Sequence, residues 1–194
     1  MNLSLANVKA REEEFSKLDA IAGDGDHGTA IVTALTIIAG DAQQGTEFPA
    51  MLNDMGMMKT SGSTSTLLGA LFMGMGEALE PLGVTDELNA AQVKVMFRGG
   101  LTGVEEQTKA KLGDKTMMDA LVPAVVAIES CDSEDVKELL KAGAEAALKG
   151  AEATVNMKAN FGRARNLGER SVGFADAGAT SWACLFESFY QGLE

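Results

Sequence analysis

The sequence predicts an all-α protein, on three observations. Only three prolines occur in 194 residues, so long helices can run without interruption. Aromatics make up 5% of the chain, and Val, Ile and Thr nowhere alternate with polar residues as a half-buried strand requires. Ala, Leu, Met, Glu and Lys, the better helix formers, are abundant. A chain of this length can bury a sizeable core. No Ser/Pro-rich tract, charge block or short repeat divides it, and residues 1–194 are expected to form one domain.

Apolar residues at i, i+3, i+4 and i+7 mark the helices in order. Phe15 and Leu18 predict one beginning near Arg11. Ile31, Ala34, Leu35 and Ile38 predict the next. Leu68, Leu71, Phe72, Met75 and Leu79 continue the pattern until Pro81 stops it. Helices are expected over 87–108, 116–129 and 177–192. Another carries Val136, Leu139, Leu140, Gly143 and Ala147, with Asp132 or Ser133 placed to cap it. The count is seven or eight, joined by short loops. Trp182 and Tyr190, and the methionines at 51, 55, 57, 58, 73 and 75, are read as core, with an adaptable partner surface as the other reading for the methionines.

Net charge is −12, which disfavours a nucleic-acid partner, because a phosphate backbone calls for a basic surface. An acidic protein still binds phosphorylated small molecules where a metal intervenes. Cys131 and Cys184 lie far apart and predict free thiols in a reducing compartment. The N-terminus lacks an apolar core of signal-peptide length, and no apolar run is long enough for a membrane span. A cytoplasmic location is the expectation.

The 22 glycines cluster. Gly69, Gly74 and Gly76 lie within a helical pattern and predict close helix packing. Glycines beside Asp, Ser or Thr instead let backbone N–H groups approach a ligand. The most informative segment is Leu18-Asp19-Ala20-Ile21-Ala22-Gly23-Asp24-Gly25-Asp26-His27-Gly28. Asp19 would sit on the last turn of the first helix, Asp24 and Asp26 in the loop, and the next helix would start near Gly28 or Thr29. Three carboxylates this close repel one another without a cation. Oxygen ligands suit Mg²⁺ or Ca²⁺ rather than zinc. The alternation is too short for an EF-hand. Phosphate would fit beside the cation, at the free N–H groups of the next helix. His27, the one histidine, leaves no second partner for a His-based metal site or a Ser-His-Asp triad.

This segment resembles the signature of the L subunit, or L domain, of dihydroxyacetone kinases. Three further segments agree in order. Lys59–Gly69 resembles the family's phosphate loop, Gly113–Ala120 its adenine-pocket segment, and Gly162–Ser181 its long C-terminal motif. The resemblance implies an eight-helix antiparallel up-and-down barrel with a nucleotide site in the loops at one end. It implies one or two Mg²⁺ ions on Asp19, Asp24 and Asp26, with Arg163 reaching the nucleotide. ADP or ATP would be held by His27, Gly28 and Thr29, by Ser63 and Thr64, by Met117, and by Asp176, Ala177 and Gly178. It also implies a separate K subunit that carries a small ketose, so little kinase activity is expected from this chain alone. The phosphate donor is either a phosphotransferase-system phosphoprotein that recharges bound ADP or freely exchanging ATP. A homodimer is compatible with the same resemblance.

Four departures stand out. Thr64-Ser65-Thr66 replaces the family's Ser-Gly-Pro, and Ser65 cannot take positive φ as cheaply as Gly. Ala177 stands for a proline, which is expected to loosen that loop. Thr108 stands where relatives have Gly. The stretch before Asp19 is short, so a trimmed first helix is expected. Arg170 is expected to pair with Glu169, whereas Arg163 and Arg165 belong to a basic cluster near the site. The alternatives from other classes are a nucleotide-loaded interaction protein and a calcium-binding helical protein.

Overall fold

In the computed structural model, which describes residues 1–57 and 62–193, the chain is helical almost throughout. The helices are α1 (Asn2–Ala10), α2 (Glu12–Ala20), α3 (His27–Gln44), α4 (Ala50–Gly56), α5 (Ser63–Leu79), α6 (Ala90–Gln107), α7 (Met118–Ser130), α8 (Val136–Ala153) and α9 (Ala177–Gln191). Three 3₁₀ segments, Glu80–Leu82, Thr154–Asn156 and Arg163–Ser171, complete them. Among the described residues no strand forms. One isolated bridge pairs Phe48 with Thr85.

The helices form a closed ring. α3 packs on α1, α2, α4 and α5; α5 on α6; α6 on α7; α7 on α8; α8 on α9; and α9 returns to α1 and α2. One apolar core takes residues from all of them, among them Val8, Phe15, Ile31, Leu52, Leu68, Phe97, Leu121, Leu139 and Phe186. Most of the residues named above for periodicity belong to it, Leu18 and Val136 being only partly buried, and Trp182 is 1% exposed.

α5 and α6 touch backbone to backbone. A Cβ on Gly74 would lie 2.4 Å from the Gly99 carbonyl oxygen, and one on Gly99 would lie 2.4 Å from that of Gly74. A second close approach joins α7 to α8. Pro123 inside α7 has no N–H for the Asp119 carbonyl. Gly150 of α8 lies against that freed oxygen, where a Cβ would be 1.8 Å away.

Several expectations are corrected. The chain is helical from Asn2, so a further helix precedes the one expected near Arg11, with only Arg11 (φ −113°, ψ 11°) between α1 and α2. α1 buries only Ser4 and Val8, too few positions to show a period. α4 was likewise too short to read. Counting α1 and α2 as one rod broken at Arg11 leaves eight α-helices among the described residues, within the seven or eight expected. The cap of α8 is Asp135, whose carboxylate accepts the Lys137 N–H at 2.8 Å, while Ser133 accepts the N–H of Asp135. Ser65 needs no positive φ because it lies inside α5; the positive φ, 108°, falls on Gly62. Glu169 pairs with Lys158 rather than Arg170. Of the methionines, Met55 and Met75 are buried, Met57 is 66% exposed and Met58 lies outside the described residues. Both cysteines are free. Among the described residues no helix is long and apolar enough to cross a membrane.

Candidate functional site

The alternation of the helices brings one set of ends together. α2, α6 and α8 finish, and α3, α5, α7 and α9 begin, around a cleft of about 290 Å³. Its lining includes Asp19, His27, Ser63, Thr64, Met117, Arg163, Asp176, Ala177 and Gly178. Helix N-termini carry partial positive charge and unpaired N–H groups. Among the described residues neither α3 nor α5 has a side-chain cap on those groups.

At the mouth, Asp19, Asp24 and Asp26 each offer an oxygen, and these oxygens lie within 4.8 Å of one another. Asp19 rides on the last turn of α2. Its Oδ2 accepts the Gly25 N–H at 2.9 Å, which folds the loop back toward it. Gly25 has φ 79°, a conformation that a side chain would resist. A Cβ on Gly23 would meet Asp19 Oδ1 at 2.6 Å. Gly25 thus gives the loop its turn, and Gly23 leaves room for the Asp19 carboxylate where it stands.

The Arg163 guanidinium lies among the three carboxylates, 3.3 Å from Asp19 and 3.8 Å from Asp26, and also paired with Asp24. It holds Asp24 below its ordinary pKa, whereas Asp26 is pushed up, chiefly by its hydrogen bond with Asp24 and then by burial. Three carboxylates with oxygens this close outnumber the one guanidinium among them, and a divalent cation relieves the remaining repulsion. The donor set is all oxygen, which fits Mg²⁺ or another hard divalent ion.

His27 opens α3 and links three helix starts. Its Nε2 is 2.8 Å from Ser181 Oγ, which itself donates to the Gly178 carbonyl, and its Nδ1 is 3.3 Å from Thr64 Oγ1. With the Ser181 proton committed, Nε2 carries the imidazole proton and Nδ1 accepts from Thr64. Burial pushes the ring below its ordinary pKa, and Asp19 opposes that shift. A neutral imidazole therefore fixes the Thr64 hydroxyl.

The opposite wall is the Gly113–Met117 loop. The fully buried carboxylate of Asp119 accepts the N–H groups of Gly113 at 2.6 Å and Thr116 at 2.9 Å. Lys115, with φ 60°, turns inward and is 1% exposed. A left-handed non-glycine residue costs about 1 kcal/mol or more. Asp176 caps α9 by accepting the Ala179 N–H at 2.8 Å.

Burial raises Asp176 to about 6, against the pull of the Ala179 N–H and of Lys115. Its folded value thus exceeds its ordinary 3.8, so the folded state holds the proton more tightly. The associated stability is complete below pH 3.8 and is lost as pH rises through about 6. We expect Asp176→Asn, which keeps the cap, to remove a decline of roughly 3 kcal/mol between those limits. Urea unfolding at intervals from pH 4 to pH 7.5 measures it, and parallel wild-type and variant curves would contradict it.

The residues expected from sequence are mostly brought together, with two placed otherwise. Gly28 is buried under α2, where a Cβ would lie 2.1 Å from the Glu12 carbonyl oxygen. The Thr29 hydroxyl is bonded to Glu12 at 3.0 Å, away from the cleft lining. Both still contribute N–H groups to the first turn of α3. Lys59 to Ser61 of the phosphate-loop segment lie outside the described residues. Ser181, Lys115 and Asp119 went unassigned. Asp119 had a signal, because Thr116-x-x-Asp119 before an apolar run is the pattern of a capping box.

The family model described as the DAK2 domain matches residues 21–191. The chain belongs to the DAK2 domain family. It is similar to the ADP-binding subunit DhaL of PEP-dependent dihydroxyacetone kinase 1 of Listeria innocua, at 34% identity over 95% of this chain and 89% of the relative. The corresponding Escherichia coli subunit is 34% identical over 90% of this chain and 86% of its own. D-erythrulose kinase of Mycolicibacterium smegmatis is 35% identical over 89% of this chain, which spans only 31% of that enzyme. In three dimensions the DAK2 chain matches the dihydroxyacetone kinase of C. freundii, solved in complex with AMP-PNP and Mg²⁺, with a TM-score of 0.71 at 27% identity. It covers 32% of that longer chain. The all-helical barrel expected from sequence is therefore the fold of this DAK2 chain.

Proposed function

We propose that this DAK2 chain is the nucleotide-binding subunit of a ketose kinase and passes a phosphoryl group from a bound adenine nucleotide to a small ketose held by a separate K subunit. One juxtaposition carries the reading: three carboxylates converge at a cleft into which four helices direct their N-termini. The helix ends favour phosphate and the carboxylates repel it; Arg163 offsets one of the three negative charges, and a divalent cation between carboxylates and phosphate would offset the rest.

Asp19, Asp24 and Asp26 would hold Mg²⁺. A bound divalent ion supplies neutralisation of the phosphate charge that develops during transfer. The chain's own groups do the positioning. Thr64, oriented by neutral His27, and Ser63 donate hydroxyl hydrogen bonds to phosphate oxygens at the start of α5. The N–H groups of His27, Gly28 and Thr29 do the same at α3. Arg163 adds positive charge at the carboxylates' side. Met117 and the Asp176–Gly178 segment form the walls for the base and sugar. In this reading the partner holds the ketose, so transfer waits on it. The similarity to DhaL subunits supports a phosphoprotein donor acting on retained ADP. The similarity to D-erythrulose kinase supports erythrulose beside dihydroxyacetone as an acceptor.

Calorimetric titration with ADP, with and without Mg²⁺, tests the reading, with mass spectrometry of nucleotide released from gently purified protein. Binding that needs Mg²⁺ is expected, and retained ADP supports the phosphoprotein donor. Protein that is empty and binds neither ADP nor ATP with Mg²⁺ overturns the kinase-subunit reading in favour of an interaction protein.

A further inference from the structure

Lys115 is a buried cation to which the function above gives no task. Its Nζ donates to the Thr154 carbonyl at 2.8 Å and the Phe174 carbonyl at 2.6 Å, and lies 4.5 Å from the centre of the Phe174 ring. These contacts join three segments distant in sequence: the Gly113–Met117 loop, the end of α8 and the approach to α9. Thr154, itself fully buried, extends the junction. Its hydroxyl donates to the Ala151 carbonyl at 2.5 Å and accepts the Asp176 N–H at 2.9 Å. The Gly173 N–H reaches the Val155 carbonyl at 2.8 Å. The loop is also tied through Asn160, whose N–H and Nδ2 donate to the Asp114 and Gly113 carbonyls at 3.1 and 3.4 Å, but the ammonium group and Thr154 make the hydrogen bonds that reach Phe174 and Asp176 themselves.

Three features argue that Lys115 does more than pack. A buried ammonium carries a desolvation penalty that an apolar residue would avoid. The backbone accepts a left-handed conformation at Lys115 to turn the side chain inward. Lys115, Met117, Phe174 and Asp176 all line the same cleft.

We propose that Lys115 is a positioning residue for the nucleotide, clamping the Phe174–Gly178 segment to the Gly113–Met117 loop so that the two walls of the cleft stand at a set separation. This rests on the nucleotide reading above. The clamp acts through carbonyl acceptors and a ring face, not through contact with phosphate. Its loss therefore weakens nucleotide binding without abolishing the magnesium requirement.

The test compares wild-type protein with Lys115→Met, which keeps length and apolar bulk while removing the charge. Leu139→Ala, a core truncation in α8 away from the cleft lining, serves as a stability control. ADP affinity in saturating Mg²⁺ is measured by calorimetry, and each unfolding midpoint by circular dichroism. Trp182, the single tryptophan and part of the cleft lining, reports wall movement by its emission on ADP addition. Lys115→Met should bind ADP about tenfold or more weakly and change the Trp182 response. Leu139→Ala should lower the midpoint and leave both unchanged. If Lys115→Met does not fold, Phe174→Leu removes only the ring face and should weaken ADP binding about threefold. Wild-type binding with unaltered affinity in the folded Lys115 or Phe174 variant overturns the clamp alone. A loss of affinity in Leu139→Ala equal to that of Lys115→Met does the same. Failure of the wild type to bind ADP overturns the nucleotide reading and the clamp with it.

Discussion

Replacing Asp19 by alanine should weaken magnesium-dependent ADP binding about 100-fold or more, and should do so without unfolding the protein. Asp19 has two tasks that its neighbours lack. Its side chain is only 14% exposed, against 58% for Asp24 and 68% for Asp26, so it is the least solvated of the three carboxylates. It also accepts the Gly25 N–H and so holds the loop that carries the other two. Removing it takes away a ligand and the loop's anchor together. The cost to the ligand-free protein is small. One hydrogen bond is worth about 1 kcal/mol, and relief of repulsion among the remaining carboxylates offsets part of it. The unfolding midpoint in chelator should therefore stay near wild type, whereas the rise that Mg²⁺ and ADP give the wild type should vanish. Affinity within threefold of wild type would remove Asp19 from the metal set. A collapse of the midpoint in chelator would make its role structural.

Gly150→Ala should destabilise the protein by about 3 kcal/mol or more, the upper range for overpacking. The new Cβ would lie 1.8 Å from the Asp119 carbonyl oxygen and 3.4 Å from Pro123 Cγ, so backbone, not a pliable side chain, has to yield. The two helices can relieve this only by separating along a contact that buries Ile128, Leu139 and Ala147. The displaced residue also anchors the Gly113 and Thr116 N–H groups, so ADP affinity should fall with stability. Gly40→Ala in α3 is the contrast, because a Cβ there meets nothing within 4 Å. That change should be neutral or stabilise by up to about 1 kcal/mol through helix propensity. Urea unfolding of both variants measures the difference, and equal midpoints would sink the steric account.

Most of this architecture was legible because its long helices carry a 3.6-residue period. α3, α5, α6, α8 and α9 each bury a continuous stripe, and a stripe is visible in one dimension. α1 and α4 were missed because they bury two residues apiece, and two points define no period. The carboxylates were legible for a different reason, since all three come from one short segment. What joins segments was not. The Arg163 contact with Asp19 spans 144 positions and the His27 contact with Ser181 spans 154. Nothing local in Ser181 distinguishes it from any hydroxyl in a helix's first turn. Lys115 was hidden similarly, since a lysine between Asp114 and Thr116 reads as solvated until the fold carries it inside. The N-cap of α8 lies two or three residues beyond the expected one because Asp132, Ser133 and Asp135 are all competent capping residues. Packing of Val136, not composition, selects among them.

The up-and-down course of the chain sorts mutations into two classes. The lining residues lie in the connections and helix ends at the cleft, while the turn between α7 and α8, around Asp132 and Glu134, supplies none. Lengthening, shortening or decorating that far turn should leave the cleft as it is, whereas the same changes at the other end should not. A fluorophore, tag or tether introduced at Glu134 would inherit the same freedom, which makes the far turn the natural handle for immobilising the protein with its cleft open to a partner.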